Sequence, residues 1–277
     1  MKQVIGLSPV LKADTFYRLR EIVYQQSGIS LNDSKESLVK ARVAKRMRAL
    51  RMESYDDYLD LILNDPTGVE IQMLLDAIST NTTSFYREAD HFDFLRTVIK
   101  DWLNKGQRII RIWCTASSTG EEPYTLAIEL AENIGRHSVE VRILATDINL
   151  QVLRAAQSGV YTEDRIAPIP KHLKTKYFNK IKHNHEIVYQ VRDDLKKMII
   201  YRQLNLSTPP FPIRPEVDII MCRNVMIYFD TGLRRKLAVE FERLLRTGGH
   251  LFTGHAESMT GMAKRLKCLK PSIYIKE

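Results

Sequence analysis

The chain of 277 residues contains 44% hydrophobic and 27% charged residues, which suits a globular protein of one large or two modest domains. Its three cysteines are odd in number and show no CxxC spacing, which excludes a disulfide framework and favours a reducing cytoplasm. The net charge of +9 indicates an anionic partner, which could be a nucleic acid, an acidic protein surface or a membrane face.

Membrane insertion is not expected, because no apolar run approaches about 20 residues and the N-terminal segment contains none long enough for a signal peptide. We therefore expect a soluble, cytoplasmic protein. The histidines also lack metal-ligand spacing. His183 and His185 have no Cys or carboxylate pair nearby, so we expect both to be solvated and no metal to be bound.

The first 80 residues are predicted to form a small all-helical domain. Apolar residues on one face predict a helix over residues 11–26 that ends at Gly28, and a second from a Ser34 cap to Arg51. Two further amphipathic stretches lie around residues 55–63 and 69–79, and no β pattern occurs. The second helix has a narrow apolar stripe: Val39, Val43, Met47 and Leu50.

From about residue 107, strand-like runs alternate with helical stretches. Strands are predicted over residues 108–114, 141–146, 198–202 and 217–222, and helices over 123–134, 150–157 and 234–245. This alternation predicts a parallel sheet covered by helices on both faces. Between residues 159 and 197 it is lost, which indicates an inserted small β subdomain with a short hairpin over 187–191.

The turn after the first strand, CTASSTGEEP over residues 114–123, is neither a GxGxxG nor a Walker loop. Glu121 and Glu122 disfavour a diphosphate but suit a cationic ammonium group, unless they only complement the helix dipole. Asp147 ends the second strand, where an acid can bind both ribose hydroxyls or cap the next helix. An ammonium group and a ribose without phosphate describe S-adenosylmethionine (AdoMet). The string LRTGGHL at 245–251 fits class I methyltransferases.

Five longer strings occur in order, and together they carry a family resemblance: TNTTSFYRE at 80–88, STGEEPY at 118–124, ATDI at 145–148, CRNVMIYF at 222–229 and GHAES at 254–258. The chain resembles the CheR family, the bacterial chemotaxis receptor methyltransferases, over nearly its whole length. Departures are small, with Tyr86 where a second Phe is common and Ala256 where Ser is common.

The resemblance implies an α/β, class I AdoMet-dependent methyltransferase with a Rossmann-like, mostly parallel sheet and an antiparallel C-terminal strand. It also implies an N-terminal helical domain over residues 1–80 and a methyltransferase domain over 81–277, with the inserted subdomain at about 159–197. By position, it implies nine cofactor-binding residues: Asn81, Thr83, Arg87, Glu122, Asp147, Asn205, Leu206, Arg223 and Asn224. The alternative for Asn205, Arg223 and Asn224 is that they are ordinary turn residues.

The implied reaction is methyl transfer to a glutamate side chain, which gives a γ-methyl ester and S-adenosylhomocysteine without a metal. A glutamate is already ionised at neutral pH, so it needs alignment rather than a general base. The resemblance places Arg87 and Tyr228 at this carboxylate, as a guanidinium fork and a single hydrogen-bond donor. The alternatives are a helix-start ion pair for Arg87 and a core aromatic for Tyr228.

The implied partner is the cytoplasmic helical region of chemotaxis receptors, which a monomeric enzyme would approach through its second helix. Lys35, Arg42 and Arg46 line one edge of the apolar stripe and Lys45 lies near them, so this basic edge could dock an acidic helix or be merely solvated. Because these side chains lie outside the stripe, we expect folding to survive charge reversal of Arg42 and Arg46.

Two other functions remain open on the residues alone. A nucleic-acid methyltransferase fits the basic charge, but residues 223–228 (RNVMIY) are not an Asn/Asp-Pro-Pro-aromatic motif, and Cys222 is only near a pyrimidine-attacking position. No nucleic acid is therefore expected. A non-catalytic, AdoMet-sensing docking module is disfavoured because Arg87 and Tyr228 are retained.

Overall fold

The structure is a computed structural model that describes residues 10–135, 137–183 and 186–277. The prediction for His185 and the proposed capping side chain of Ser34 lie outside what it describes. The chain divides into two units, residues 1–80 and 81–277. Among the described residues, no helix combines the length and the apolar character needed to cross a bilayer.

The described residues of the first unit form four helices: α1 (Ala13–Ser27), α2 (Glu36–Leu50), α3 (Tyr55–Asn64) and α4 (Val69–Ile78). Gly28 ends α1 as predicted, because at a φ of +72° its N–H bonds the Tyr24 carbonyl at 2.7 Å. A 3-10 turn over Asp33–Lys35 precedes α2. The predicted stripe on α2 is buried at Val39, Val43 and Met47, whereas Leu50 is only partly buried.

A buried carboxylate on α4 binds one of the basic residues of α2. Arg46 donates two hydrogen bonds to Glu70, at 2.8 and 2.6 Å, and the hydroxyl of Tyr58 donates a third at 2.9 Å. The side chains of Arg46 and Glu70 are only 20% and 8% exposed. Arg42 is also committed within the unit, since its Nη1 donates to the Ala77 carbonyl at the end of α4.

These contacts argue against the expectation that folding survives reversal of Arg42 and Arg46, because Arg46 is paired with a buried carboxylate. A glutamate at position 46 would face the buried carboxylate of Glu70, and like charges in such a site are costly. Among the four basic residues predicted to dock, Lys35 and Lys45 are exposed, while Arg42 and Arg46 are partly buried.

The Arg46–Glu70 pair yields a stability prediction. Arg46→Ala should lower the free energy of unfolding by about 1–3 kcal/mol, because Glu70 keeps Tyr58 but loses its bidentate partner and Arg46 is partly solvated. Urea unfolding of the full chain, followed by far-UV circular dichroism, measures the change. The matched control is Lys45→Ala on the same helix, which should leave the midpoint unchanged. Equal midpoints for the two variants would contradict the prediction.

The second unit alternates helices and strands, with an insertion after its second βα unit. In chain order it contains α5 (Ala89–Asn104), β1 (Ile109–Cys114), α6 (Glu121–Ile134), β2 (Glu140–Asp147), α7 (Leu150–Ser158), β3 (Val160–Tyr161), α8 (Glu163–Ile166), α9 (Lys171–Tyr177), β4 (Phe178–His183), β5 (Glu186–Val191), α10 (Asp193–Lys196), β6 (Ile199–Gln203), β7 (Val217–Cys222), α11 (Thr231–Leu244), β8 (Leu245–Thr253), β9 (Leu266–Lys270) and β10 (Ile273–Lys276).

The main sheet has seven strands in the order β6-β2-β1-β7-β8-β10-β9, and β10 runs antiparallel to both of its neighbours. Ile112 of β1 lies opposite Ile143 of β2 and Ile219 of β7, which fixes the parallel register at the centre. The strand order reverses at β1, so the carboxyl ends of β1 and β7 form the crevice where such sheets bind ligands. This architecture confirms the predicted Rossmann-like sheet with an antiparallel C-terminal strand.

Both faces of the sheet are covered, as the near-continuous apolar strands predict. All six residues of β7 are buried. Trp113 of β1 packs edge-on against Phe211 and Phe241, with ring centroids 5.4 and 5.7 Å apart. Its indole N–H donates to Thr146 Oγ1 at 3.0 Å, so the ring is buried without an unsatisfied donor.

The insertion carries a separate three-stranded antiparallel sheet in the order β3-β5-β4. The sequence predicted one hairpin, and the structure adds β3 and three helices of four to seven residues. Helices this short produce too few turns for a periodic apolar signal. Tyr161 and Phe178 contact Phe85 edge-on, at centroid distances of 5.0 and 5.9 Å, so the insertion supports the segment that precedes α5.

Candidate active site

Five segments of the second unit meet around the carboxyl ends of the parallel strands: residues 81–88, the β1–α6 loop, the end of β2, the β7–α11 loop and residues 254–258. Backbone hydrogen bonds from Thr115 to Met221 and from Ser117 to Thr146, at 3.0 and 2.8 Å, fix the β1–α6 loop between β2 and β7. The loop is therefore held by the sheet on both sides.

Gly120 is required for the close packing of this loop. Its φ is +97°, and a Cβ there would lie 2.8 Å from the Tyr161 hydroxyl and 2.9 Å from Ala156 Cβ. The Tyr161 hydroxyl donates to the Thr119 carbonyl at 2.7 Å. Residues of the insertion and of α7 thus set the position of the turn that opens α6.

Glu121 and Glu122 follow Gly120, but they have different partners. Glu121 has a fully buried side chain, which accepts hydrogen bonds from the Thr119 hydroxyl at 2.7 Å and from Arg165 of the insertion. Arg165 also donates to Thr119 Oγ1. Glu121 therefore serves to attach the insertion to the loop, and Glu122 is the glutamate that belongs to the site.

Asp147 is oriented by two backbone donors. Its carboxylate accepts hydrogen bonds from the N–H groups of Ser118 and Asn149, each at 2.9 Å, and the residue is 7% exposed. The cap of α7 is Asn149, whose side chain accepts from the N–H groups of residues 151 and 152. The alternative that Asp147 is itself this cap is therefore wrong.

Arg223, at the end of β7, joins three segments of the site although its side chain is only 1% exposed. Its Nη1 donates to Glu122 Oε2 at 2.8 Å, its Nε and Nη2 donate to Glu88 Oε2 at 3.3 and 3.1 Å, and its Nη2 also donates to the Arg87 carbonyl. Asn224 Nδ2 donates to Glu88 Oε1 at 3.1 Å. We call Arg223, Glu88, Glu122, Asn224 and the Arg87 carbonyl the Arg223 network.

The two carboxylates of the network are shifted in opposite directions. Burial raises the pKa of Glu122 above its ordinary value, although the charge of Arg223 and its hydrogen bond oppose this. Burial also disfavours ionised Glu88, but hydrogen bonds from Asn224 and the charge of Arg223 outweigh it and lower the pKa of Glu88. Neighbouring His91 is neutral, because burial lowers its pKa to about 4, assisted by the charge of Arg223.

The loop after β7 is held by a buried carboxylate that the sequence analysis did not single out. Glu257 is 3% exposed and accepts hydrogen bonds from the N–H groups of Asn224, Ile227 and Gly254, at 2.8, 3.1 and 2.7 Å. A Cβ at Gly254 would lie 2.7 Å from Asn224 Nδ2. The GHAES string contained this signal, an acid three residues after a glycine that directly follows a strand.

Backbone strain is concentrated at the site. Tyr86, Glu88, Ser118 and Asn224 have φ values of +56°, +55°, +47° and +56°. Residues other than glycine adopt such values only where their surroundings impose them, and they do so most often at functional sites. In this unit the surroundings are the hydrogen bonds that Glu88, Ser118 and Asn224 make to other segments.

The remaining residues predicted to bind the cofactor lie on the same loops. The Asn81 carbonyl accepts a hydrogen bond from Ser118 Oγ at 3.0 Å, and Thr83 is partly exposed in the same segment. After β6, the N–H of Leu204 bonds the Asp147 carbonyl. Asn205 forms a turn by accepting from the Ser207 N–H, and Leu206 is buried.

The two residues predicted to face the substrate are both partly exposed. Arg87 donates to the Thr82 carbonyl at 2.8 Å and is near enough to Glu122 to favour its ionised form. Tyr228 lies in a 3-10 turn, Met226–Tyr228, beside the Glu257-bound loop. It is therefore not a core aromatic. Within the described part of the chain, no side-chain hydrogen bond ties Thr83 or Tyr228 to the Arg223 network.

These groups suit a ligand with a cationic ammonium and neighbouring hydroxyls. Arg223 donates to one oxygen of Glu122, and the negative charge of Glu122 can bind an ammonium group. Two backbone N–H groups orient the carboxylate of Asp147. Ser117 Oγ is a buried hydroxyl to which the described residues supply no hydrogen-bond partner, so it is free for a ligand. The sheet order and these loops define an AdoMet-dependent methyltransferase.

Comparison with known families agrees with this class. Residues 81–275 match the family model described as CheR methyltransferase, SAM binding domain, and residues 14–79 match CheR methyltransferase, all-alpha domain. The chain belongs to the CheR methyltransferase family. Its cofactor is AdoMet, and the methyltransferase prediction holds over the nucleic-acid and cofactor-sensing alternatives.

Curated relatives match over nearly their full length. The chain is 39% identical to the chemotaxis protein methyltransferase of Borreliella burgdorferi, covering 95% of this chain and 94% of the relative. It is 36% identical to chemotaxis protein methyltransferase 2 of Pseudomonas aeruginosa, with 94% and 92% covered. Identity to the chemotaxis protein methyltransferase of Escherichia coli is 33%, with 94% and 89% covered.

The bond between the insertion and the β1–α6 loop gives a second stability prediction. Arg165→Ala should lower the free energy of unfolding by about 1–3 kcal/mol, because the buried Glu121 loses its charged partner while Arg165 itself is 43% exposed. Thermal unfolding measures the loss. Arg192→Ala is the control, since Arg192 and its partner Asp194 are both at least half exposed. A loss no larger than that of the control would show that this ion pair does not support the loop.

Proposed function

We propose that this protein transfers the methyl group of AdoMet to glutamate side chains of chemotaxis receptors, giving γ-methyl esters for sensory adaptation. The observation that carries the proposal is the Arg223 network, which fixes the segment bearing Arg87 beside the carboxylate of Glu122 in a chain whose relatives are named chemotaxis protein methyltransferases. A substrate-facing cation and a cofactor-facing anion are thereby held by one buried guanidinium.

The cofactor roles of this proposal are those that the family resemblance implies by position. Glu122 binds the ammonium of the methionine end, and Asp147 accepts hydrogen bonds from the ribose. Asn205 and Leu206 line the adenine, and Leu206 offers a buried apolar side chain. The remaining cofactor residues close over or support the methionine end: Asn81, Thr83, Arg87, Arg223 and Asn224. When bound, AdoMet would supply a methyl group carried by a sulfonium sulfur. The sulfur keeps the electron pair of the broken S–C bond and becomes a thioether.

Arg87 and Tyr228 act on the substrate carboxylate. The glutamate is ionised at neutral pH, so the protein must orient one carboxylate oxygen and exclude water rather than remove a proton. One donor of Arg87 already binds the Thr82 carbonyl. This hydrogen bond limits how tightly Arg87 can bind the substrate carboxylate in the ground state. The neutral Tyr228 hydroxyl donates one hydrogen bond to the charged carboxylate.

The receptor is recognised through its cytoplasmic helical region, by a monomer whose α2 presents the basic edge. Lys35 and Lys45 are the exposed cations of this edge and supply the long-range attraction. Arg42 and Arg46 are tied to α4 and act within the unit. Residues 1–80 thus serve recognition, and residues 81–277, with the insertion at about 159–197, serve catalysis.

Direct measurement of the product tests the reaction. Mass spectrometry of a receptor co-expressed with this protein should show base-labile glutamate methyl esters that are absent without it.

Tyr228→Phe should lower kcat about 10- to 150-fold, the cost of one hydrogen bond to a charged group, without changing the melting temperature. Tyr17→Phe, at an exposed tyrosine of α1, is the control. Full activity of Tyr228→Phe would remove Tyr228 from the substrate site, and methylated RNA would contradict the substrate class.

The raised pKa of Glu122 predicts how cofactor binding depends on pH. Only ionised Glu122 attracts the ammonium, so affinity for S-adenosylhomocysteine should fall as pH is lowered from 8 towards 5, by up to tenfold per pH unit once Glu122 takes up a proton. Calorimetry over this range measures the slope. Glu122→Gln should bind more weakly at pH 8 and show a flat profile. A slope that the Gln variant retains would assign the titration to another group.

Ionic strength separates docking from cofactor binding. Because exposed charges are screened beyond about 8 Å at physiological salt, kcat/KM for receptor should fall as salt rises, while S-adenosylhomocysteine affinity should hardly change. Lys35→Glu/Lys45→Glu should lower kcat/KM and flatten its salt dependence. Lys100→Glu/Lys236→Glu makes the same charge change at exposed sites on α5 and α11 and is the control. Identical salt profiles for the two double variants would make the α2 edge a solvated face.

A further inference from the structure

A carboxylate and two imidazoles outside the proposed reaction lie together beside the Arg223 network. Glu88 and His91, at the start of α5, and His255, after β8, each offer one ligand atom, and these atoms lie within 4.8 Å of one another. The side chains of Glu88 and His91 are 13% and 0% exposed, and that of His255 is 51% exposed. The cluster is buried on one side and open on the other.

One tautomer of His91 presents a lone pair to the Glu88 carboxylate. In the tautomer with the proton on Nε2, His91 donates to Ser272 Oγ, which lies 2.8 Å away and donates in turn to the Pro271 carbonyl at 2.6 Å. In neutral His91 the Nδ1 atom is then bare. It lies 3.5 Å from Glu88 Oε2 and has no hydrogen-bond partner among the described residues. In this tautomer two acceptors face each other, and a cation bound between them would stabilise the arrangement.

We propose that Glu88 Oε2, His91 Nδ1 and one nitrogen of His255 form a binding site for a transition-metal ion of the Zn²⁺ class. Imidazole nitrogen and carboxylate oxygen are ordinary Zn²⁺ ligands. Ligand atoms about 2.1 Å from a tetrahedral ion are about 3.4 Å apart. The His91 and Glu88 atoms already meet this spacing, and the half-exposed His255 can move inward to meet it.

The surroundings supply charge, orientation and a route from solvent. Asp90 lies 3.2 Å from His255 Nε2, so it can orient this imidazole or supply a fourth ligand. Asp90 and His255 also line a cleft of about 640 Å³, together with Asp93 and Lys270. The Lys270 ammonium lies over the ring of Phe94. The carboxylates of Glu88 and Asp90 are adjacent to the site, whereas Arg223 supplies the opposing positive charge.

Metal binding at this cluster is inhibitory, a consequence that rests on the proposed cofactor roles. Glu88 uses Oε1 to hold Asn224 and Oε2 to hold Arg223. An ion bound to this carboxylate withdraws electron density from its oxygens and shifts them. Both effects weaken the hydrogen bonds from Asn224 and Arg223. Coupling is reciprocal, so an ion that weakens cofactor binding is itself weakened by the cofactor.

Cobalt(II) substitution tests the site without any activity assay. Untagged protein carrying Cys268→Ser is the background, because an exposed thiol would bind Co²⁺ independently. It should bind one Co²⁺ with the intense visible bands of a tetrahedral ion. Adding His255→Ala should weaken binding at least tenfold and remove the bands, whereas His172→Ala, at an exposed histidine of α9, should do neither. Absence of the bands, or their retention in His255→Ala, would overturn the site.

The inhibitory consequence has a separate readout. S-adenosylhomocysteine affinity is first measured without metal, which establishes the cofactor site independently. Saturating Zn²⁺ should then weaken it at least fivefold in the background protein and leave it unchanged in His255→Ala. Equal affinity with and without Zn²⁺ in a background that binds Co²⁺ would overturn the inhibition.

Discussion

The burial of one arginine is the constraint on which the site depends. The Arg223 side chain is almost completely removed from water, and a buried guanidinium is tolerated only when its donors are matched by anions or carbonyls. Glu122, Glu88 and the Arg87 carbonyl supply these acceptors from two other segments. The first turn of α6 and the segment before α5 must therefore approach the end of β7 for the fold to be stable.

This requirement explains why strained backbone occurs where it does. Glu88 and Asn224 both have positive φ, and a hydrogen bond joins their side chains. Arg223 holds Glu88 in this conformation, and Glu257 holds Asn224. The same arrangement gives the two network carboxylates opposite pKa shifts, so that one polar network contains a readily ionised Glu88 and a Glu122 that ionises reluctantly. A carboxylate of the second kind gains most when a ligand ammonium arrives.

Local sequence signals identified the elements that have strong patterns of their own. The apolar strands, the glycine that ends α1 and the acid that ends β2 are each recognisable within a few residues. The partnerships of Arg46 with Glu70 and of Arg223 with Glu88 join residues 24 and 135 positions apart, and periodicity contains no information about such pairs. The inserted subdomain was underpredicted because its helices are shorter than two turns. Its Arg165 could be assigned to Glu121 only from the tertiary structure.

The most direct test of the account is the substitution Arg223→Lys. Lysine keeps the positive charge, but a single ammonium cannot replace the guanidinium fork that reaches Glu122, Glu88 and the Arg87 carbonyl together. Calorimetry with S-adenosylhomocysteine, on protein whose near-ultraviolet circular dichroism confirms a folded core, should show affinity reduced at least tenfold. Affinity equal to that of the unchanged protein would contradict the claim that this buried guanidinium organises the site.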